Sequence, residues 1–458
     1  MDAIIAASGR RRTIPVECVD AASLAALKKR LDKRASRWLD ASGFQPVAGR
    51  VALLPADDGR LERVIVGIRP DQPLWSLSAL PWQLPPGRYR LMEDGPAPDI
   101  TLAALGWALG AYRFTRYRKA GRDPASLVVP KKLAEQLAPM IDAVGTVRDL
   151  VNTPTEDMGP EQLADTIKHM GKAHKARVRE WVGEALLKDN FPTIHMVGRA
   201  SHRPPRLVEL NWGKSTDPKL VLVGKGVCFD CGGLDIKPSG GMRWMKKDMG
   251  GAAHAIALAG LVMQARLPVR LTLLIPTVEN SISGSAMRPG EVVRTRAGHT
   301  VEVDNTDAEG RLILCDALAY AGEKKPDLIM DFATLTGAAR VALGPDVPAM
   351  FTNRDALATA LTEAATRTHD PLWRLPLWEP YMHMLDSHLA DFANAGPSRH
   401  AGAITAALYL ERFVPGTVDW IHTDVYAWND SERPGRPRGG EAQSLRAMFA
   451  FLQQRYGR

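Results

Sequence analysis

From about residue 150 onward, short apolar runs alternate with amphipathic segments, and this alternation constrains the fold more than any other feature of the chain. Leu220 to Gly224, Leu271 to Pro276, Leu328 to Ala333 and Trp420 to Tyr426 read as strands. Gly251 to Gln264, Leu312 to Gly322, Asp355 to Thr366 and Glu441 to Arg455 read as helices. Strands that are apolar on both faces belong to sheets covered on both sides. The pattern therefore predicts an α/β domain with a central, mostly parallel or mixed sheet flanked by helices. Ligands of such folds bind beyond the carboxyl ends of the strands.

The first 140 residues read differently. Ala21 to Leu39 and Leu102 to Arg118 have helical periodicity, and Arg50 to Leu54 and Arg63 to Ile68 read as short strands. A smaller α/β domain over residues 1–140 is expected, with the main domain over 141–458. Charge follows the same division. Residues 1–150 hold 23 Lys+Arg against 16 Asp+Glu, so seven of the eight net positive charges lie there. The basic clusters are Arg10 to Arg12, Lys28 to Arg37, and Arg113 to Arg122, the last interleaved with Tyr112, Phe114 and Tyr117. Such a patch suits phosphates or nucleic acid. A solvated helix face or a subunit contact is the commoner explanation.

Hydrophobic residues at 45% and charged residues at 24% are globular proportions and exclude a fibrous or wholly disordered chain. Four cysteines are too few for a disulfide scaffold and suit a reducing compartment. No apolar run reaches the ~18 residues of a membrane helix. The apolar stretch near the N-terminus is too short for a secretory signal, and its charges follow it. A cytoplasmic protein with no membrane partner is expected.

Two Gly-rich segments concentrate charge just after apolar runs. The first runs from Val223 to Pro238 and continues through Met245 to Ala252; the second is Asn305-Thr-Asp-Ala-Glu-Gly-Arg-Leu312. Charge placed there is costly unless it is paired or holds a metal. Four carboxylates stand out: Asp230, Asp248, Asp307 and Glu309. In extended backbone Asp307, Glu309 and Arg311 would share one face. Carboxylates in that number, without matching histidines, suit hard divalent ions. Paired ions in hydrolytic sites lie roughly 3.5–4 Å apart. Lys225, Lys237 and Arg311 add positive charge for an anionic intermediate. On the residues alone, a metal hydrolase and a phosphate-binding loop remain equally open.

The octapeptide Asn305 to Leu312 resembles the signature of the leucyl (cytosol) aminopeptidases, two-metal hexameric exopeptidases. Val223 to Ala252 and Asp331-Phe-Ala-Thr-Leu-Thr-Gly-Ala338 resemble the same family, and Asn152-Thr-Pro154 resembles the entry to its catalytic domain. The likeness covers about residues 145–458; the first 140 resemble the family's variable N-terminal domain only loosely. It implies removal of N-terminal residues, with a leucine-like preference, from peptides with a free amine. It implies that Asp230 and Glu309 bridge two ions, that Lys225 and Asp248 complete the tighter site, and that Asp307 completes the exchangeable one. Zinc or manganese is implied, with magnesium and cobalt as further candidates. Lys237 would stabilise the oxyanion, and Arg311 would hold a bicarbonate that acts as general base. Asp248 would also contact the substrate amine, and Met245 and Thr334 would line the pocket for the first side chain. A homohexamer is implied by the resemblance alone.

Some positions depart from the family pattern. Cys231 stands where serine is usual and Arg243 where aspartate is frequent; Asp424-Val-Tyr-Ala-Trp428 carries rings where many relatives have small residues. Two competing readings remain. Some relatives double as DNA-binding proteins, and the basic N-terminal third suits such a regulator. Cys228-Phe-Asp-Cys231 has the spacing of a thiol redox pair.

Overall fold

A computed structural model describes residues 3–7, 12–94, 96, 98–398 and 400–457. Arg10 and Arg11 of the first basic cluster lie outside the described residues. The chain forms two compact units. The first comprises Met1–Gly145 with Asn429–Arg438, the second Thr146–Trp428 with Gly439–Arg458.

The first unit is built on six strands in the order Ile4–Ala6, Ser126–Val129, Arg88–Leu91, Ile14–Val19, Leu61–Gly67, Val51–Pro55. All neighbours are parallel except the last pair. The expected helix over Ala21 to Leu39 is two helices, Leu24–Arg30 and Lys33–Ala41. Leu31 is extended, and the Asp32 carboxylate accepts from the Ala35 N–H at 2.7 Å, starting the second helix afresh. The helix expected over Leu102 to Arg118 ends at Ala111, so the basic segment that follows is not a helix face. Arg113 and Arg122 instead lie over the Trp82 ring, 4.6 and 5.6 Å from its centroid. In the Lys28 to Arg37 cluster, Lys28 pairs with Asp40, Arg30 with Glu17, and Arg34 with Asp57 and Glu62. Several cations of the basic clusters are thus engaged within the unit, and the nucleic-acid alternative gains no support from them.

The second unit carries the main sheet. Its order is Trp373–Arg374, Ala349–Thr352, Asp419–Asp424, Leu328–Ala333, Lys219–Gly224, Arg270–Asn280, Arg206–Trp212, Arg177–Val182. The four central strands, Asp419–Asp424 through Arg270–Asn280, run parallel. The flanking strands Ala349–Thr352, Arg206–Trp212 and Arg177–Val182 pair antiparallel to their inner neighbours. The sheet is therefore mixed with a parallel centre. Helices pack in two groups. Gly250–Gln264 contacts Pro160–His174 and Leu445–Tyr456, while Glu309–Glu323 contacts Pro192–Gly198 and Gly402–Glu411. No helix among the described residues is long and apolar enough to cross a membrane.

The strand expected to stop at Pro276 continues to Asn280. Proline lacks the N–H a ladder needs. Here Pro276 falls where the parallel partner changes, from Lys219–Gly224, last paired at Leu274, to Gly226–Asp230, first paired at Thr277. The extension carries a polar end, Glu279-Asn280, into the region where the charged segments gather. The closing helix starts at Leu445 rather than Glu441, because Ser444 before it is left-handed at φ 56° and a right-handed helix cannot run through it; the Glu441 carboxylate pairs with the buried Arg148 guanidinium at 3.1 and 3.2 Å.

Candidate active site

The charged residues of the two segments lie at strand ends and on the turns and helix starts that follow them. Lys225 directly follows Lys219–Gly224, and its N–H still bonds the Phe332 carbonyl at 2.9 Å. Asp230 ends the short Gly226–Asp230 strand. Asp248 lies in a 3₁₀ turn, Met245–Met249, that leads into the helix Gly250–Gln264. That helix approaches so closely that a Cβ on Gly251 would lie 2.1 Å from the Phe332 carbonyl oxygen. Glu309 opens the helix Glu309–Glu323, and Asp307 lies in the loop before it. A Cβ on Gly310 would lie 2.5 Å from Lys225 Cε, so only glycine lets this helix start against the lysine.

The expected shared face of Asp307, Glu309 and Arg311 is corrected by this helix start. The backbone is not extended there, and residues two apart on a helix point in different directions. Asp307 and Glu309 still meet, because one precedes the helix and the other begins it. Arg311 points elsewhere: its Nη1 donates to the Asn394 carbonyl at 2.6 Å, and among the described residues it pairs with no carboxylate.

Carboxylate oxygens of Asp230, Asp307 and Glu309 all lie within 4.8 Å of one another. Lys225 Nζ sits 2.7 Å from Asp248 Oδ2 and 2.9 Å from Glu309 Oε1, and donates to the Thr334 carbonyl at 3.1 Å. Lys237 Nζ sits 2.7 Å from Asp230 Oδ2 and also contacts Asp307. The Thr334 hydroxyl donates to Asp248 Oδ1 at 2.8 Å. Two lysines and four carboxylates thus form one continuous cluster.

Its electrostatics are under tension. Burial, then repulsion from Asp230, holds Glu309 well above the usual carboxylate range. The same two causes push Asp307 up to about 6. Burial alone would lower Lys225 and Lys237, but the surrounding carboxylates outweigh it and raise both. Among the described residues, both Glu309 oxygens, Asp248 Oδ2 and Asp307 Oδ1 are buried without a hydrogen-bond partner, although lysine nitrogens lie within ion-pair reach of three of them. Orphaned anionic oxygens converging on one place fit divalent cations, which accept oxygen ligands in that number.

Residues without any sequence signal hold this geometry. The Asn280 amide donates to Asp230 Oδ1 at 2.8 Å and to the Thr306 carbonyl at 3.0 Å. The Asn394 side chain accepts from Asp304 and Asn305 and donates to the Asn305 and Ala308 carbonyls, bracketing the loop that carries Asp307. Asp424 accepts from the Leu335 N–H and from the Thr336 N–H and hydroxyl, fixing the turn after Thr334. A lone Asn at a strand end or in a loop offers no periodicity and no local sign of the groups it reaches.

The thiol reading fails on chemistry. All four cysteines are free. Burial pushes Cys228 up to about 12, leaving almost no thiolate at neutral pH.

The description "Cytosol aminopeptidase family, catalytic domain" matches residues 145–449, and "M17 aminopeptidase, N-terminal domain" matches 14–130. The chain belongs to the cytosol aminopeptidase family. Its activity class is therefore that of an aminopeptidase, a peptide hydrolase. A probable cytosol aminopeptidase of Syntrophotalea carbinolica is 40% identical over 374 residues, 78% of this chain and 75% of that one. The crystal structure of a cytosol aminopeptidase from Coxiella burnetii superposes with a TM-score of 0.96 at 48% identity, covering 99% of each chain. A bottromycin maturation enzyme in complex with Mn superposes with a TM-score of 0.87 at 32% identity, over 97% of this chain and 100% of that one.

Proposed function

We propose that this family member is a metal-dependent aminopeptidase in which Lys225, Asp230, Asp248, Asp307 and Glu309 hold two divalent ions. The observation that carries the reading is the gathering of Asp230, Asp307 and Glu309 oxygens within 4.8 Å of one another, with Asp248 joined to them through Lys225. Zinc and manganese suit a mixed oxygen and nitrogen ligand set, and magnesium and cobalt suit it as well. When bound, such ions acidify water and polarise a carbonyl.

The chain's own groups do the rest. Lys225 is buried as a cation among Asp248, Glu309 and Asp230; to ligate, its nitrogen releases a proton, and a dication takes over its charge-balancing role. Asp248, fixed by Thr334, receives the substrate's free amine, which restricts cleavage to the first residue. Lys237 stands over the open side of the cluster, where negative charge develops on the scissile carbonyl oxygen. Among the described residues the buried Nε of Arg311 has no hydrogen-bond partner, and it is the donor that would hold a bicarbonate as base. Met245 and Thr334 give the first side chain an apolar wall, in keeping with a leucine-like preference. A homohexamer and a cytoplasmic location complete the reading, both supported by kinship.

Hydrolysis of leucyl p-nitroanilide tests it. A chelator should abolish turnover, and added manganese or zinc should restore it. Full activity after exhaustive chelation and dialysis would remove the metals from the account.

A further inference from the structure

Beside the cluster of four carboxylates and two lysines described above lie two further cations, Lys247 and Arg340. Lys247 is one residue before Asp248 and only 7% exposed. Its Nζ donates to the Tyr426 carbonyl at 3.0 Å and lies 4.7 Å from the centroid of the Tyr426 ring. Arg340 lies over the same ring, with its guanidinium carbon 4.4 Å from the centroid. Arg340 belongs to the helix Gly337–Leu343, which follows the Thr334 to Thr336 turn. Among the described residues, neither cation forms an ion pair. The charged groups that act on Lys247 are Asp248, Lys225, Arg340 and Asp424. The two carboxylates in that set are already engaged: Asp248 by Lys225 and Thr334, Asp424 by Leu335 and Thr336.

Contacts between the segments bring this pair's surroundings close to Thr334 and Asp248. A Cβ on Gly250 would touch both Thr334 Cγ2 and Ala427 Cβ, so the chain after Tyr426 lies against Thr334. Thr334 in turn bonds Asp248. The segments bearing Met245, Thr334, Lys247, Arg340 and Tyr426 therefore surround the same corner. A buried ammonium without a carboxylate partner is costly, and a second cation nearby raises that cost. A ligand anion removes it.

We propose that Lys247 and Arg340, arranged around Tyr426, bind the side-chain carboxylate of an acidic N-terminal residue, so that glutamate is removed in preference to glutamine. The inference rests on the aminopeptidase reading and extends it to a substrate class. Glutamate offers methylenes to the wall of Met245 and Thr334, as leucine does, and a carboxylate at the tip for the two cations. Because glutamine has nearly the same shape, the comparison isolates charge.

The experiment is kcat/KM near neutral pH for glutamyl, glutaminyl and leucyl anilides with the purified full chain. The variants are Arg340→Gln, Arg340→Lys and Lys247→Met. Charged hydrogen bonds of this kind correspond to about tenfold or more in kcat/KM, so the wild-type Glu/Gln ratio should reach about ten. Arg340→Gln, at an exposed position, should bring the ratio toward one, and Arg340→Lys should retain part of it. Lys247→Met should lower it as well. A ratio near one in the wild-type chain, or one unmoved by Arg340→Gln, overturns the proposal while leucyl turnover stands. A charge preference that appears only at the second residue, between Leu-Glu-amide and Leu-Gln-amide, overturns it too. Absence of leucyl turnover in the wild-type chain would instead bring down the aminopeptidase reading itself.

Discussion

The two lysines of the site make an instructive contrast. Lys225 is 4% exposed, walled in by Asp248, Glu309 and the Thr334 carbonyl, with Gly310 leaving it just enough room. Lys237 is more open, and its partner Asp307 has a side chain 33% exposed. One corner of the cluster is sealed and rigid, the other faces solvent. The sealed corner suits a tightly held ligand set; the open corner suits exchange and contact with substrate. On the proposed reading, the same residue type takes two roles, decided by its surroundings.

The strongest way to break this contrast is at the residue both corners share. Glu309→Ala should lower leucyl anilide turnover by several orders of magnitude, because it removes a carboxylate central to the cluster. Kinetics with metal analysis on a folded sample checks this, and near wild-type turnover with added zinc or manganese would remove Glu309 from the metal set. Substrate chemistry offers the next test. Acetylating the amine of a leucyl anilide removes the partner proposed for Asp248, and cleavage should fall below detection; efficient cleavage would point to an endopeptidase or esterase.

Lys237→Ala sharpens the contrast between the corners. Loss of one oxyanion donor costs about 10²–10³-fold in kcat. KM should change little and metal content should be retained, whereas Lys225→Ala should lose metal. Equal metal loss in the two variants would erase the distinction drawn here.

The smallest effects lie in the support. Asn394→Ala leaves the Asp304 and Asn305 N–H groups and the Asn305 and Ala308 carbonyls without their side-chain partner. We expect about 1–3 kcal/mol of lost stability, read as a lower Tm, with a partial loss of activity as the Asp307 loop loosens. An unchanged Tm would mean that the loop holds itself.

The same contrast explains what was legible from the sequence. The parallel centre of the sheet follows from apolar runs such as Leu220 to Gly224, because burial on both faces favours apolar residues at nearly every position. The carboxylates and lysines were legible because charge just after such runs is costly without a purpose. Asn280, Asn394 and Asp424 were not, since a bracketing side chain is defined by what it reaches across space: Asn394 is 89 positions from Asn305. Arg311 was misplaced because spacing by two was read as extended backbone where a helix begins. In the first unit, periodicity predicts helix through the basic stretch after Ala111, where the chain leaves the helix, and Trp82 as the partner of Arg113 and Arg122 has no local signal.

The central claim is that five residues hold two ions, with the sealed corner tighter than the open one. Metal stoichiometry per folded chain, by elemental analysis after dialysis against limiting zinc or manganese, tests it directly. The account predicts about two ions per wild-type chain. Asp307→Asn should lose mainly one of them, and Glu309→Ala most of both. A wild-type chain that saturates with fewer than two ions, or a Glu309→Ala chain that retains the full complement, would contradict it.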